Sequence, residues 1–148
     1  VAEARQICTF AVDRHLMGLE VGLVQEVLRQ QPVTPVPLAP PAIRGLINLR
    51  GSIVPAVDLR ICLGLEQPIG ATGDRGGALV VLRTDDGPTC LAVDAIRDVV
   101  AVPEADREPI PGTVPASVRD LLRGAYPLEG QLLLEIDAAR LVQRLGEG

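Results

Sequence analysis

The segment 43–58 recurs 79 positions later with no gap, and this internal repeat constrains the fold more than any other feature of the chain. Arg44, Gly45, Leu49, Gly51 and Asp58 fall on Arg123, Gly124, Leu128, Gly130 and Asp137. Ile43, Ile53, Val54 and Val57 fall on Leu122, Leu132, Leu133 and Ile136, as expected if each half builds the same hairpin against a similar core. A shift of 72 likewise lays Leu19, Val21, Val24, Glu26 and Val27 on Leu91, Val93, Ile96, Asp98 and Val99. The two shifts differ because loop lengths differ between the halves. A chain of 148 residues written this way is expected to form two barrel-like lobes. Each is too small to stand alone and must pack on the other through shared apolar surface.

Local pattern agrees with a mainly β chain. Residues 6–12 alternate apolar and polar, Asp13-Arg14 interrupts, and 15–19 resume, which predicts a hairpin. In 21–28, Val21, Val24, Val27 and Leu28 sit at helical spacing and predict a short amphipathic helix. Pro32, Pro35, Pro37, Pro40 and Pro41 forbid helix beyond it. Two further β-type runs, 44–49 and 52–58, flank Arg50-Gly51, where glycine supplies the positive φ of a tight turn. A helical turn is expected in 59–65, ended by Gly64, and the glycine- and proline-rich stretch 66–77 marks the boundary between lobes. Beyond it, 78–83 and 89–93 flank Asp85-Asp86-Gly87-Pro88, 96–102 is extended, and 118–122 makes one helical turn. Finally, 124–128 pairs with 131–136 across Glu129-Gly130, and Asp137 caps a last helix whose stripe is Leu141, Val142 and Leu145.

Composition removes several classes of function. The net charge of −5 argues against nucleic acid as a partner, and 47% hydrophobic residues argue for a folded chain. No apolar run reaches the roughly 18 residues of a membrane span and no signal-peptide pattern opens the chain, which is read as cytoplasmic. Cys8, Cys62 and Cys90 are odd in number, widely spaced and flanked by apolar residues, so they read as buried free thiols. Reactive side chains are scarce: there is no Lys, and His15 and Asn48 are the sole His and Asn. His15 has no partner of metal-ligand spacing, and neither a metal nor a cofactor is expected. Asp58 and Asp94, imaginable as a catalytic pair with His15, each end a strand, where capping accounts for them.

The motifs themselves carry a resemblance. Val24-Gln25-Glu26-Val27, Val33-Thr34-Pro35-Val36-Pro37 and the run from Ile43 to Arg60, with its core Asn48-Leu49-Arg50-Gly51-Ser52-Ile53-Val54-Pro55, are similar to the signature of the CheW family of chemotaxis coupling proteins. The likeness continues through Leu91-Ala92-Val93-Asp94 and Ile96-Arg97-Asp98-Val99 to Leu132–Asp137. It implies one CheW-like domain over 1–148, built of two intertwined SH3-like five-stranded β-barrel lobes with short helices and a C-terminal helix. The lobes are expected at 15–77 and 78–148, with 1–14 adding a strand to the shared core.

The resemblance also implies a non-catalytic adaptor that couples the cytoplasmic hairpin tip of a methyl-accepting chemoreceptor to the regulatory domain of the CheA histidine kinase. Such an adaptor would work in receptor arrays on the inner face of the cell membrane, without inserting into the membrane. The alternative is a CheW-like regulatory domain of a longer protein, a CheA kinase or a CheW–receiver fusion. Carried over by position, the receptor-facing residues are Val24, Glu26, Val27, Gly45, Arg50 and Gly51. Cys90, standing where the family has glycine, would narrow that groove. The expected receptor site is an apolar groove between lobes with Arg50 and Glu26 on its rim, and Val99 is the expected kinase contact.

Each assignment has a plainer counterpart. Arg50 alone would read as a solvated turn charge, but the other half replaces it with Glu129, and Asn48 with Pro127. Positions kept by both halves read as architecture, and positions kept by one read as function. Glu26 reads equally as an exposed acid, because Asp98 keeps an acid in the second half. Val24 and Val27 read as core.

Overall fold

The structure is a computed structural model that describes residues 4–29, 31–65 and 77–146. Its strands are β1 (Ala4–Val12), β2 (His15–Glu20), β3 (Val24–Arg29), β4 (Ile43–Leu49), β5 (Ser52–Asp58), β6 (Ala78–Leu82), β7 (Thr89–Val93), β8 (Ala95–Pro103), β9 (Leu122–Leu128) and β10 (Gln131–Ile136). Among the described residues three short helices accompany them: α1 (Leu59–Cys62), α2 (Ala116–Arg119) and α3 (Ala138–Gly146).

The strands form two five-stranded sheets of one plan. The first has the order β8-β1-β2-β10-β9 and the second β3-β6-β7-β5-β4. In each, a central parallel pair joins two antiparallel hairpins: β10 with β2, and β5 with β7. Each sheet curls shut through one isolated bridge beyond its edge strand. Thr34 and Leu46 exchange two backbone hydrogen bonds of 2.8 Å, and Glu108 and Ala125 exchange two of 2.7 and 3.0 Å. Leu46 and Ala125 are 79 positions apart, so the repeat in the sequence is a repeat of barrel closure.

Most sequence expectations for hairpins and caps hold. The turns at Asp13-Arg14, Arg50-Gly51 and Glu129-Gly130 join the expected strands. Asp58 accepts from the Ile61 amide at 3.3 Å and Asp137 from the Arg140 amide at 3.1 Å, so the two equivalent aspartates start equivalent helices. The turn expected at 118–122 lies slightly earlier, as α2, because Leu122 opens β9. The boundary loop at 66–77 lies, apart from Gly77, outside the described residues.

Two expectations are corrected. Residues 21–28 are not an amphipathic helix: a 3-10 turn at Val21–Leu23 leads straight into β3. Val24, Glu26 and Leu28 are half-buried while Gln25, Val27 and Arg29 are exposed, the period of a strand. The apolar spacing fits either period, and pairing of β3 with β6 decides it. The lobes also divide elsewhere than at 77. The second sheet is built from β3 to β7, and the first from β1 and β2 together with β8, β9 and β10. The cause is the parallel pairs, which draw β2 to β10 and β7 to β5 across long stretches of chain.

Packing shows why neither lobe stands alone. The largest apolar cluster joins Phe10, Met17 and Leu19 of the first lobe to Val80, Leu82 and Leu91 of the second, with Leu59 and Leu141 from the helices. A smaller core lies within each barrel. Polar contacts cross the seam as well. Arg60, at the start of α1, reaches Asp94 at 3.0 Å and Asp13 at 3.6 Å, and Arg144 of α3 donates to the carbonyls of Cys62 and Ser117.

The first lobe buries an ionic group at positions that are apolar in the second. Glu135, 1% exposed, takes two hydrogen bonds from the Arg5 guanidinium at 2.6 and 2.8 Å. Arg5 also donates to the Tyr126 hydroxyl at 2.8 Å and to Glu20 at 3.1 Å. The repeat sets Ala56, Ile47 and Ala92 opposite Glu135, Tyr126 and Glu20, so the second barrel fills the same space with apolar groups.

Candidate functional site

The asymmetry between the lobes is sharpest at the β4–β5 turn. Arg50 (φ 51°) and Gly51 (φ 88°) both take left-handed backbone, the geometry of a two-residue turn that matches strand twist. The Asn48 side chain accepts from the Gly51 amide at 2.9 Å and fixes the turn. An arginine in this conformation is uncommon, and such strain gathers at functional positions. Here the turn aims a guanidinium across the barrel mouth at β3.

Glu26 receives it. Arg50 Nη1 donates to Glu26 Oε2 and Nη2 to Oε1 at 2.6 Å, a planar fork on a carboxylate. The bond from Arg50 holds the Glu26 carboxyl below its ordinary range, and the bond to Glu26 raises the already high Arg50. Glu26 is mostly covered, its side chain 18% exposed, while Arg50 stays 71% exposed. The carboxylate thus anchors a guanidinium that still faces solvent. In the first lobe the equivalent positions are Asp98 and Glu129, two acids that cannot form this pair. The fork belongs to one lobe, which favours the functional reading of Arg50 and gives Glu26 a defined task.

The other expected site residues separate into surface and support. Val27, 42% exposed, stands outward on β3 beside Glu26, and Val24 is half-buried against the shared core. Gly51 has open space around it. Gly45 is buried, and the backbone it lets approach is the chain's own: an added Cβ would overlap the Thr34 carbonyl oxygen. Cys90 is also fully buried, among Val54, Ala56 and Val81, so it cannot line a groove as expected. Its equivalent in the first lobe is Gly18, where a Cβ would collide with Ile7. In the second lobe the space exists and the thiol fills it; burial pushes the Cys90 thiol up. Val99, 56% exposed, is the repeat partner of Val27, so equivalent valines stand out on equivalent edge strands.

Sequence reasoning missed Ile53. Assigned to the core, it is 62% exposed on β5, opposite Asn48 and next to the Arg50 turn. The signal was available, because Ile53 and Val54 are consecutive and only one of them can face the core of a strand.

An apolar cleft of about 280 Å³ opens on the seam between lobes, lined by Pro40–Ile43, Ile61, Cys62, Arg144 and Leu145. It does not have Arg50 and Glu26 on its rim. Ile43 and Leu49 are opposite ends of β4, and six residues at about 3.3 Å each put roughly 20 Å between the cleft and the turn. The expected single groove is therefore two separate features.

The two aspartates imagined as a catalytic pair have structural partners instead. Asp58 is spent on capping α1, and Asp94 is held by the Asp13 amide at 2.6 Å and by Arg60. Among the described residues, no group of three His, Cys, Asp or Glu side chains is placed to hold a metal, and no helix is long and apolar enough to cross a membrane.

Twin closed barrels that share a core and present an ion-paired arginine beside exposed apolar residues define a protein-docking scaffold. The chain belongs to the CheW-like family, whose domain model matches residues 6–146. It is 28% identical over 140 residues to the chemotaxis protein CheW of Treponema pallidum, covering 94% of this chain and 82% of that one. It is 30% identical over 136 residues to that of Rhizobium meliloti, covering 90% and 86%. In structure it is similar to the scaffolding protein TtCheW from Thermoanaerobacter tengcongensis, with a TM-score of 0.78 and 28% identity, covering 90% of this chain and 89% of that one. The paired-barrel fold and the non-catalytic scaffold character expected from the motifs both stand, and the family places the chain in chemotaxis signalling.

Proposed function

We propose that the chain is an adaptor of the cytoplasm that couples the hairpin tip of a chemoreceptor to the regulatory domain of a CheA-type kinase. The observation that carries this reading is the Arg50–Glu26 fork, present in one lobe and replaced by two acids in the other. A receptor tip is an α-helical hairpin, and a helix docks through anchors at helical spacing with polar contacts fixing register. Exposed Val27 and Ile53 supply apolar contact on either side of the fork, and the free edge of the Arg50 guanidinium supplies the polar one. Gly45, Val24 and Cys90 support this surface from beneath. The kinase contact falls on the first lobe around Val99, whose pseudo-symmetric relation to Val27 suits a partner built on the same fold.

A pull-down with a receptor hairpin tip and with the kinase regulatory domain tests the reading. Arg50→Glu should abolish receptor capture, leave kinase capture intact and leave the far-UV spectrum unchanged. Receptor capture equal to wild type would remove Arg50 from the site.

A further inference from the structure

The closure of the first barrel carries arginine where the second barrel has aliphatic side chains. Arg107 precedes the bridge residue Glu108, Arg123 lies on β9 just before the other bridge residue, Ala125, and Arg140 lies in the first turn of α3. The corresponding places in the second barrel, counted from the Thr34–Leu46 bridge and by the shift of 79, hold Val33, Arg44 and Ile61. The three arginines line one open hollow of about 480 Å³, with Glu108, Pro109 and Asp137 in its walls. A cluster present in one half alone falls, like Arg50, on the functional side of the repeat comparison.

These guanidinium groups are held in place but loosely partnered. Arg5, Arg50 and Arg60 each bond a carboxylate oxygen at 3.1 Å or closer. Among the described residues Arg107, Arg123 and Arg140 come no nearer to one than 3.9, 3.9 and 3.6 Å, and Arg140 adds only a 3.4 Å bond to the Asp120 carbonyl. The Arg107 stem lies over Gly124, where an added Cβ would stand 2.6 Å from its Cγ and Cδ. Convergent, solvent-facing forks of N–H donors with no carboxylate in hydrogen-bond range suit an oxyanion.

Charge and shape narrow the choice of anion. Asp137 caps α3, so three positive charges in the hollow face two negative ones, one of them already engaged. The rest of the chain, with a net charge of −5, turns away extended polyanions. Phe10 and Tyr126, the chain's two aromatic residues, are buried in its cores and offer no face to a nucleobase. A phosphate monoester presents three acceptor oxygens, one for each guanidinium, where a carboxylate presents two.

We propose that this hollow binds a phosphate monoester group, with Arg107, Arg123 and Arg140 each donating to one of its oxygens. Bound there, the phosphate ties residues 107–108, β9 and α3 together across the barrel closure and stabilises the first lobe.

Isothermal titration of the full chain with phenyl phosphate at low ionic strength tests it, with acetate as the carboxylate control. Phenyl phosphate should bind with a dissociation constant of about 1 mM or tighter and raise Tm. Arg107→Gln, Arg123→Gln and Arg140→Gln should each weaken binding about tenfold while melting close to wild type without ligand. Gly124→Ala, which displaces the Arg107 stem, should weaken it too, and Arg44→Gln, the equivalent change in the second barrel, should bind as wild type does. A serine-phosphorylated peptide and its unphosphorylated form separate the sources. Phosphate-dependent binding about tenfold tighter than that of phenyl phosphate assigns the site to a partner's phosphoryl group, and equal affinity assigns it to a small ester; either supports the site. No heat and no Tm change up to about 10 mM phenyl phosphate, acetate binding as tightly, or affinity indifferent to all three arginine substitutions would each overturn the proposal.

Discussion

Gly45→Ala should unfold the second barrel's closure, with a cost that follows from three observations. Gly45 has φ 148°, a region essentially reserved for glycine, and a side chain there costs about 1–3 kcal/mol. The new Cβ would lie 2.7 Å from the Thr34 carbonyl carbon and 2.8 Å from Val33 Cγ1, besides overlapping the Thr34 oxygen. Relief requires Thr34 to leave Leu46, losing two hydrogen bonds worth about 1 kcal/mol each. The total is about 3–5 kcal/mol, a large part of the roughly 5–15 kcal/mol by which a domain is stable. It corresponds to a fall in Tm of about 10–15 °C.

The equivalent Gly124→Ala is the internal control. There the added Cβ meets Arg107 Cγ and Cδ at 2.6 Å, the flexible part of an exposed side chain, and the cost should stay below about 1.5 kcal/mol. Gly51→Ala enters open space and pays only for its left-handed backbone, about 1–2 kcal/mol. Urea unfolding followed by far-UV circular dichroism suits a chain with no Trp and a single Tyr. If Gly45→Ala lies within 1 kcal/mol of wild type, or if Gly124→Ala costs as much, the close approach at Thr34 does not hold the barrel shut. The outcome also separates two roles for family glycines: Gly45 serves the contact from inside, and Gly51 serves the turn that carries Arg50.

Three further outcomes are expected. Glu135→Ala leaves Arg5 largely covered with only Glu20 and Tyr126, and should cost about 2–4 kcal/mol in urea unfolding; adding Arg5→Met should recover part of that loss, as the apolar second barrel implies. Burial holds the His15 imidazole below its ordinary value, with Asp13 opposing and Arg14 reinforcing. The unfolded chain therefore binds the proton first, so stability should be full above about pH 6.5 and decline as pH falls toward the folded value, and His15→Gln should flatten that limb of the Tm–pH curve. Cys8, Cys62 and Cys90 are buried with thiols raised by burial, so an aromatic disulfide reagent should titrate none of them at mildly alkaline pH until denaturant is added; rapid labelling of the native chain would contradict their placement.

What the sequence by itself determined is local or repeated. Hairpins at Asp13-Arg14, Arg50-Gly51 and Glu129-Gly130, the caps at Asp58 and Asp137, and the two-lobed plan are written in turn chemistry and in the matching of 43–58 with 122–137. These features depend on neighbours a few residues apart, or on likeness between segments, and both can be read without coordinates. The same comparison singled out Arg50 against Glu129, because a substitution within an otherwise kept unit stands out.

Tertiary structure decided the rest, because it turns on which distant strands pair and which face of a strand is covered. Parallel pairing of β2 with β10 and of β7 with β5 assigned hairpins to lobes, a choice on which local periodicity is silent. Pairing with β6 made β3 a strand although its apolar spacing also fits a helix. The same pairing turned Glu26 toward the barrel mouth within reach of Arg50, while pairing of β7 with β5 and β6 buried Cys90 and the pleat of β5 left Ile53 outside. Residue type and spacing name the groups that can meet; the free energy of closing each barrel on the shared core selects which of them do.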